Sequence, residues 1–534
     1  MTLLSASATG LSTAAVITIP MLICFFGLMI GVGLSCRKHT TDVDSFVLGG
    51  RSVGPWLTAF AFGTSYFSAV IFVGYAGQFG WNFGLASTWI GLGNAFIGSL
   101  LAWTVLGRRT RVMTQHLGSK TMPDFFEKRY DSKKLKVIAS FIVFVFLIPY
   151  TASLYNGLSS LFNNVFAVPY WAVVLVMAVL TGVYVIFGGY MATAINDFIQ
   201  GIIMLAGIVA VIASVLTQNG GFNAAVEALG VQEGAQYTSL FGPDPIALLM
   251  VVLLTSLGTW GLPQMVGKFY SIKDEGSIKK GTVISTAFAV VVAGGCYFLG
   301  GFGRLYRDKV LAAGGGKVLF DKIIPTMMAD LPPVVVALII VLVLAASMST
   351  LSSLVLTSSS TLTLDVVKPL AERKSPMSEK RSVLVMRLLI VFFIALSAVI
   401  AILKDSIWAD SVFIAQMMGV SWGALAGAFL APFLYGLYWK KTTKAAVAVS
   451  FAFGVGLELI QLAIGVGLIS VQGIPVLEFV FRNSLFSGVF AMVGGLILVP
   501  VVSLLTQKTC PAGVEEKFAC YDRPVVTNQK TSLG

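Results

Sequence analysis

The chain has 534 residues, of which 57% are hydrophobic and 11% are charged, and its formal net charge is +12. A soluble globular domain carries about 25% charged residues, so this composition excludes a water-soluble globule and indicates a membrane protein. The positive charge requires no nucleic-acid partner, because basic residues that collect on one side of a membrane account for it.

Apolar runs long enough to cross a bilayer recur along the chain. A hydrocarbon core of roughly 30 Å needs about 20 apolar residues in one helix. Hydropathy, read with the glycines, prolines and charges, predicts an all-α polytopic membrane protein with about thirteen transmembrane helices. The predicted spans are 14–36, 55–78, 83–107, 137–160, 169–188, 194–217, 246–268, 282–303, 334–362, 384–403, 411–438, 443–468 and 484–506.

The basic residues divide unequally between the two sides of this map. One side holds 29 of the 36 Lys and Arg residues and the other side holds 7. The rich segments are 37–51, 108–136, 268–280, 368–387, 440–444 and the tail. Since cytoplasmic loops carry the excess of Lys and Arg, we expect a multi-pass protein of the cell membrane with the N-terminus outside and the C-terminus in the cytoplasm.

Two of the predicted helices contain interruptions near their middle. The second span has a small, hydroxyl-rich stretch at 62–68, and the seventh has Gly258, Gly261 and Pro263. Glycine loosens a helix and proline removes a backbone donor. Broken helices in corresponding positions of two halves are typical of inverted-repeat transporters with a site at mid-membrane, although each break alone is also compatible with a packing kink.

Several motifs together resemble the sodium:solute symporter family over nearly the whole chain. They are SFVLGGRS at 45–52, FGTSYFS at 62–68, TMPDFFEKRY at 121–130, GGY at 188–190 with NDFIQ at 196–200, GLPQ at 261–264 and ASMSTLS at 346–352. The resemblance implies a LeuT-like core of two inverted five-helix repeats, 37–240 (spans 2–6) and 241–440 (spans 7–11). An extra helix at 1–36 precedes this core, two helices at 441–506 follow it, and we expect a mobile cytoplasmic tail at 507–534.

The resemblance also implies a sodium site between the first and eighth core helices. Its ligands in this sequence are the carbonyls of Thr64, Phe67 and Ala346 and the hydroxyls of Ser349 and Thr350. A hard cation prefers oxygen ligands, and unwound carbonyls supply them without a fixed charge. Hydroxyls in membrane helices also serve as packing contacts, which is our interpretation of Ser352, Ser353 and 358–360.

Few ionisable residues fall inside the predicted spans. Asp197 begins the sixth span and matches a family acid near the ion path, but its position is equally that of a helix cap. Glu458 lies outside the core repeats, where we expect a structural or lipid-edge role. His39 and His116 both fall in loops. Coupling to sodium is therefore favoured, with coupling to protons left open.

Substrates of the family lie beside the broken helices, so the candidate contacts come from these spans, with core packing as the alternative for each aromatic residue. The candidates are Tyr66, Ser68, Thr259, Trp260 and Gln264, followed by Trp422 and Gln416.

Local motifs at 64–69 and 261–264 resemble the pantothenate permease branch, and 348–350 the proline permease branch. The acid of the proline branch is absent, because Tyr66 stands there, and its aromatic pair is replaced by Thr255 and Thr259. This argues against proline itself. A small carboxylate is expected, such as pantothenate, a monocarboxylate or an amino acid. Because no basic side chain is visible in the core, exposed helix amides would bind the carboxylate.

These observations predict sodium-driven import of a small organic solute by alternating access. The alternatives are a proton-coupled symporter of the same fold and a transporter-like channel or sensor. An enzyme is not expected, since the sequence has no metal-ligand cluster, nucleophile–base pair or phosphate-binding loop. The expected partners are the solute, sodium and membrane lipid, with the oligomeric state left open.

Overall fold

The computed structural model describes residues 13–166, 168–373, 375–407 and 414–524. In this part of the chain the protein is helical, and its only β pairing is an isolated bridge between Val53 and Ile272. The long helices are α1 (Thr13–Cys36), α2 (Pro55–Tyr66), α3 (Val70–His116), α4 (Lys133–Phe166), α5 (Tyr170–Gln218), α6 (Pro245–Gly261), α7 (Pro263–Ser271), α8 (Glu275–Gly300), α9 (Pro333–Leu362), α10 (Glu379–Ile407), α11 (Ile414–Tyr438), α12 (Lys444–Gly465) and α13 (Ser484–Leu505).

By length and composition, the described residues form ten membrane-spanning helices, or eleven if α6 and α7 are one bent span. Thirteen spans were predicted, which is more than this count. The predicted second span is divided between the short helix α2 and the start of α3, and α5 covers the predicted fifth and sixth spans. Within α5, Gly189 has φ +53°. Within α3, Gly84 has φ +61°. Glycine adopts this left-handed region without steric cost, and each of these glycines lies beside a predicted boundary between spans.

Helix α9 is one of the two most buried membrane-spanning helices among the described residues. In its most apolar stretch 78% of the residues are buried, against 83% for α11 and 28% for α12. Helix α9 packs against α5, α4, α1 and α2, whereas α11, α12 and α13 pack on one another. The hydroxyl-rich middle of α9 is thus enclosed by protein, where polar groups can find partners.

Glu458 has a structural contact and does not face lipid. It lies on α12, is fully buried, and accepts a hydrogen bond of 2.8 Å from the Ser487 hydroxyl of α13. Of the two roles expected from the sequence, the structural one agrees with this position and the lipid-edge one does not.

The described part of the C-terminal tail is docked, so the prediction of a mobile tail is wrong for residues 507–524. The guanidinium of Arg109 lies 4.1 Å from the ring centre of Tyr438 and 4.5 Å from that of Tyr521. The Tyr521 hydroxyl donates to the carbonyl of Leu437 at 3.0 Å. Cation–π contacts of this kind, together with burial of Phe518, hold the segment to the ends of α3 and α11.

Candidate functional site

The break after α2 turns backbone carbonyls towards α9. Helix α2 ends at Tyr66, and Phe67 is extended with φ −85° and ψ 112°. Residues from Val70 onward resume the helix. An extended residue interrupts the ladder of backbone hydrogen bonds, so the neighbouring carbonyls accept from side chains instead.

Five oxygens from α9 and the α2 break lie together. The Ser349 hydroxyl is 3.1 Å from the Thr64 carbonyl and 3.0 Å from that of Ala346. The Thr350 hydroxyl is 3.2, 3.3 and 3.1 Å from the carbonyls of Thr64, Phe67 and Ala346. The structure thus brings together all five residues that the sequence assigned to sodium.

This oxygen set fits a small hard cation. All five residues are fully buried, and the set contains three carbonyls and two hydroxyls without a carboxylate. A monovalent cation carries less charge than the divalent ions that carboxylate-rich sites bind. Neutral oxygens can therefore replace its hydration shell without overcompensating its charge.

The second break separates α6 from α7 by a bend of 47°. Gly258–Gly261 form a 3₁₀ turn, and Leu262 is extended with φ −83° and ψ 119°. A proline at the first position of α7 needs no backbone partner, which makes Pro263 compatible with a helix start.

The predicted substrate contacts on this turn point to α3. The Thr259 hydroxyl lies 3.3 Å from the carbonyl of Gly98 on α3 and 2.8 Å from the carbonyl of Ser256 on its own helix, and the Trp260 indole donates to the carbonyl of Ile97 on α3 at 3.0 Å. Both side chains are buried. Their polar atoms are therefore engaged with backbone carbonyls, and the structure does not bring them to the other candidates.

The remaining candidates form separate groups. The ring centre of Tyr150 is 6.1 Å from that of Trp422, and the side-chain polar atoms of Ser68, Tyr150 and Trp422 have no hydrogen-bond partner among the described residues. Tyr66 is buried, and its hydroxyl has no hydrogen-bond partner among the described residues. Tyr150 was missed from the sequence, where it is one aromatic among many in an apolar helix.

Gln264 lies in α7 and borders a cavity described below. Its two amide atoms also have no partner in the described structure. The side chain of Gln416 falls outside the described residues.

A basic side chain does lie in the core, contrary to the prediction. The ammonium of Lys268, on α7, is 3.5 Å from the carboxylate of Asp197 on α5 and 3.0 Å from the Ser353 hydroxyl. Lys268 is 3% exposed and Asp197 is 0% exposed. The sequence assignment placed Lys268 at the end of the seventh span and counted it with the basic segment 268–280, although its spacing of four residues from Gln264 places both on one face of a helix.

Asp197 lies well inside α5, eight residues beyond the break at Gly189. A capping residue sits at the first position of a helix, outside its regular geometry. The cap alternative is therefore wrong, and Asp197 is a buried acid that faces the bundle.

Arg51 ties together the ends of α3 and α7 on the side of the membrane that carries segments 37–51 and 108–136, here called the basic side. Its guanidinium donates to the carbonyl of Tyr270 at 3.2 Å and to the carbonyl of Ser119. Burial lowers the pKa of the Arg51 guanidinium, and the nearby Asp44 carboxylate opposes this effect. Arg51 thus connects the segment around Ser119 to the end of α7.

Comparison with known proteins agrees with this architecture. The model of the sodium:solute symporter family matches residues 46–454. The osmoregulated proline transporter OpuE of Bacillus subtilis (strain 168) is 26% identical, over 92% of this chain and 97% of its own. A sodium/proline symporter of Staphylococcus aureus is 28% identical, over 91% of this chain and 92% of its own.

A solved structure shows the same fold. A Na⁺-coupled sialic acid symporter in a substrate-bound outward-open state superposes with a TM-score of 0.73 at 17% identity, covering 92% of this chain and 98% of that one. The chain is thus an all-α, LeuT-like membrane protein and not an enzyme. On the family match across most of its length, the chain belongs to the sodium:solute symporter family and is a multi-pass membrane transporter with sodium as its coupling ion.

Proposed function

We propose that the protein couples the inward movement of sodium to the import of a small solute that carries a carboxylate, by alternating access. The observation that supports this most directly is the cluster of five buried oxygens around Ser349 and Thr350. The cluster joins α9 to the broken helix α2, so an ion held there stabilises one arrangement of two helices that must move relative to each other. A ligand that binds one state better shifts the population towards it.

The solute lies, in this proposal, beside the two helix breaks and within reach of Ser68, Trp422 and Gln264. The ring of Tyr150, whose centre is 6.1 Å from that of Trp422, adds aromatic surface to this group. Amino acids of the proline type come first among the candidates, because two curated relatives that span nearly the whole chain are named proline transporters. Pantothenate and short monocarboxylates are the alternatives, since Tyr66 replaces the acid of the proline branch.

The proposal also includes the arrangement of the chain in the membrane. Residues 37–240 and 241–440 form two inverted repeats, and the basic side faces the cytoplasm of the cell. The charge asymmetry of the loops supports this orientation.

Uptake by reconstituted protein tests the proposal. L-proline, D-pantothenate and L-lactate are offered to proteoliposomes with an inward sodium gradient, with the same gradient collapsed, and with a proton gradient alone. We expect one of the three to accumulate only with the sodium gradient. Accumulation driven by protons alone supports the proton-coupled alternative, and equilibration without accumulation supports a channel.

A further inference from the structure

The ion pair of Lys268 and Asp197 is loose for a buried contact. Its 3.5 Å separation exceeds the 2.7–2.9 Å that charge-assisted hydrogen bonds typically span. The ammonium donates to the Ser353 hydroxyl at 3.0 Å and lies 5.3 Å from the ring centre of Tyr190. An ammonium has three donors, so this one retains the capacity to bind a further acceptor.

A cavity leads from this ammonium towards the basic side. Lys268, Gln264 and Tyr190 border it, and it extends to Leu48 and Lys120, which belong to the basic segments. About 50 Å³ of it is accessible to a water-sized molecule, and it is partly open to solvent. The cavity therefore joins a buried cation to the exterior.

Gln264 adds neutral hydrogen-bonding capacity beside this cation. It is 2% exposed, and neither its amide nitrogen nor its amide oxygen has a partner in the described structure. Buried polar groups are nearly always paired in native proteins, so an unpaired amide deserves an explanation. A carboxylate that bridges the Lys268 ammonium and the Gln264 amide provides one.

The same group is connected to the sodium oxygens. The Ser353 hydroxyl lies 2.8 Å from that of Ser65. Ser65 follows Thr64 in the last turn of α2, and Ser353 lies one turn beyond Ser349 in α9. Two hydroxyls thus separate the ammonium of Lys268 from the candidate sodium ligands.

Charge balance then favours joint occupancy of this region. The pair of Asp197 and Lys268 is neutral on its own. A sodium ion added alone leaves one net positive charge in the interior, and a carboxylate added alone leaves one net negative charge. Adding both restores neutrality, and isolated charges are expensive in the interior of a membrane protein.

We propose that Lys268 and Gln264 form a subsite for the carboxylate of the solute on its path to the basic side, and that a sodium ion at the Ser349–Thr350 oxygens favours carboxylate binding there through the balance of charge. This inference rests on the proposed function, because it needs a solute with a carboxylate. By linkage, sodium strengthens carboxylate binding there by the same factor as the carboxylate strengthens sodium binding.

Competition between each carboxylate and its primary amide tests the subsite. The probes are L-proline, D-pantothenate and L-lactate, with L-prolinamide, pantothenamide and lactamide as their competitors in sodium-driven uptake. Lys268→Met loses the charge, Lys268→Arg keeps it, and the exposed Lys279 gives the matched control Lys279→Met. We expect Lys268→Met to weaken the transported carboxylate about ten- to hundredfold, as for a lost hydrogen bond to a charged group. The amide should change less than threefold, and Lys268→Arg and Lys279→Met should keep the preference for the carboxylate.

Asp197→Asn tests the link to sodium. Without its carboxylate partner the ammonium is free, so affinity for the carboxylate in the absence of sodium should rise, and the enhancement by sodium should fall. If the Asp197–Lys268 ion pair only stabilises the fold, Asp197→Asn should not increase the affinity for the carboxylate. Where Lys268→Met does not fold, the neutral double variant Lys268→Met/Asp197→Asn replaces it and should show the same loss of preference.

Retention of the carboxylate preference in Lys268→Met, or in the double variant, overturns the inference while leaving the proposed function intact. Failure of the wild type to accumulate any of the three carboxylates with sodium contradicts the proposed function and this inference with it. The two failures are therefore distinguishable in one set of measurements.

Discussion

Removal of the Ser349 or the Thr350 hydroxyl should weaken sodium binding. The loss should be larger for the hydroxyl that lies near more carbonyl oxygens of the cluster. The Ser349 hydroxyl lies within 3.1 Å of two carbonyls of the cluster, and the Thr350 hydroxyl lies within 3.3 Å of three. Loss of one interaction with a charged group costs about 1.5–3 kcal/mol, which corresponds to about ten- to hundredfold in affinity. A membrane potential of 100 mV contributes about 2.3 kcal/mol per charge, so a loss of this size is comparable to the driving force itself.

The assay is the sodium-activation curve of solute uptake in proteoliposomes. We expect Ser349→Ala and Thr350→Ala to raise the half-saturating sodium concentration, with uptake partly restored at high sodium. Ser347→Ala and Ser352→Ala are matched controls, because these buried hydroxyls donate at 2.8 and 2.9 Å to carbonyls of their own helix. Four identical curves, or a lower maximum rate at unchanged half-saturation, would refute the sodium assignment.

The remaining predictions concern the second break, the orientation and one ion pair. Gly261→Ala should lower the yield of folded protein, because its Cβ would meet the α11 backbone at 2.8 Å, whereas Pro263→Ala should fold and lose uptake by straightening the α6–α7 bend. Equal yields of the two variants would contradict this. A cysteine at the exposed Gln236 should react with an impermeant reagent on intact cells, and one at Lys279 only after permeabilisation; the opposite pattern would invert the orientation. Glu233 accepts hydrogen bonds from Arg304 at 2.6 Å and from Arg307 at 3.1 Å. Glu233→Gln should therefore lower the free energy of unfolding by roughly 1.5–3 kcal/mol. An unchanged melting temperature in detergent would show that these two ion pairs are dispensable.

The sequence was most informative where composition reports directly on backbone behaviour. Hydropathy located the helices, and glycine and proline at 258–263 marked the second break, since these residues disfavour a continuous helix wherever they occur. The hydroxyls of Ser349 and Thr350 were found from a motif, and their spacing places them on the face of α9 that meets Thr64. These are local features, which one sequence can carry.

What was missed depends on contacts between distant segments. Lys268 was placed at the end of the seventh span and counted with the basic side because a charge at the end of an apolar run usually lies in water, whereas Asp197 on α5 and Ser353 on α9 contact it in the interior. The orientation of Thr259 and Trp260 follows from the 3₁₀ turn, whose three residues per turn rotate side chains away from the direction of an α-helix. Docking of the tail depends on Tyr521 meeting Arg109, which lies more than 400 residues earlier in the chain.

The geometry around Ser349 gives a mechanical reason for coupling. The candidate sodium ligands come from α9 and from a break in α2, and the Ser65–Ser353 contact links them to Lys268 and Asp197. We expect binding at one of these groups to change the hydrogen bonds of the next. We expect the coupling between the candidate sodium ligands and Lys268 to be carried by these direct contacts between α2 and α9, two helices that can rearrange.

Joint flux of sodium and solute tests the central claim most directly. Proteoliposomes are loaded with no sodium gradient, and an inward gradient of the transported solute is imposed while the uptake of radioactive sodium is followed. Because coupling is reciprocal, the solute gradient should drive sodium uphill into the vesicles, and Thr350→Ala should reduce this flux. Solute entry without any accompanying sodium accumulation, in wild-type protein with an intact membrane, would contradict sodium-coupled symport.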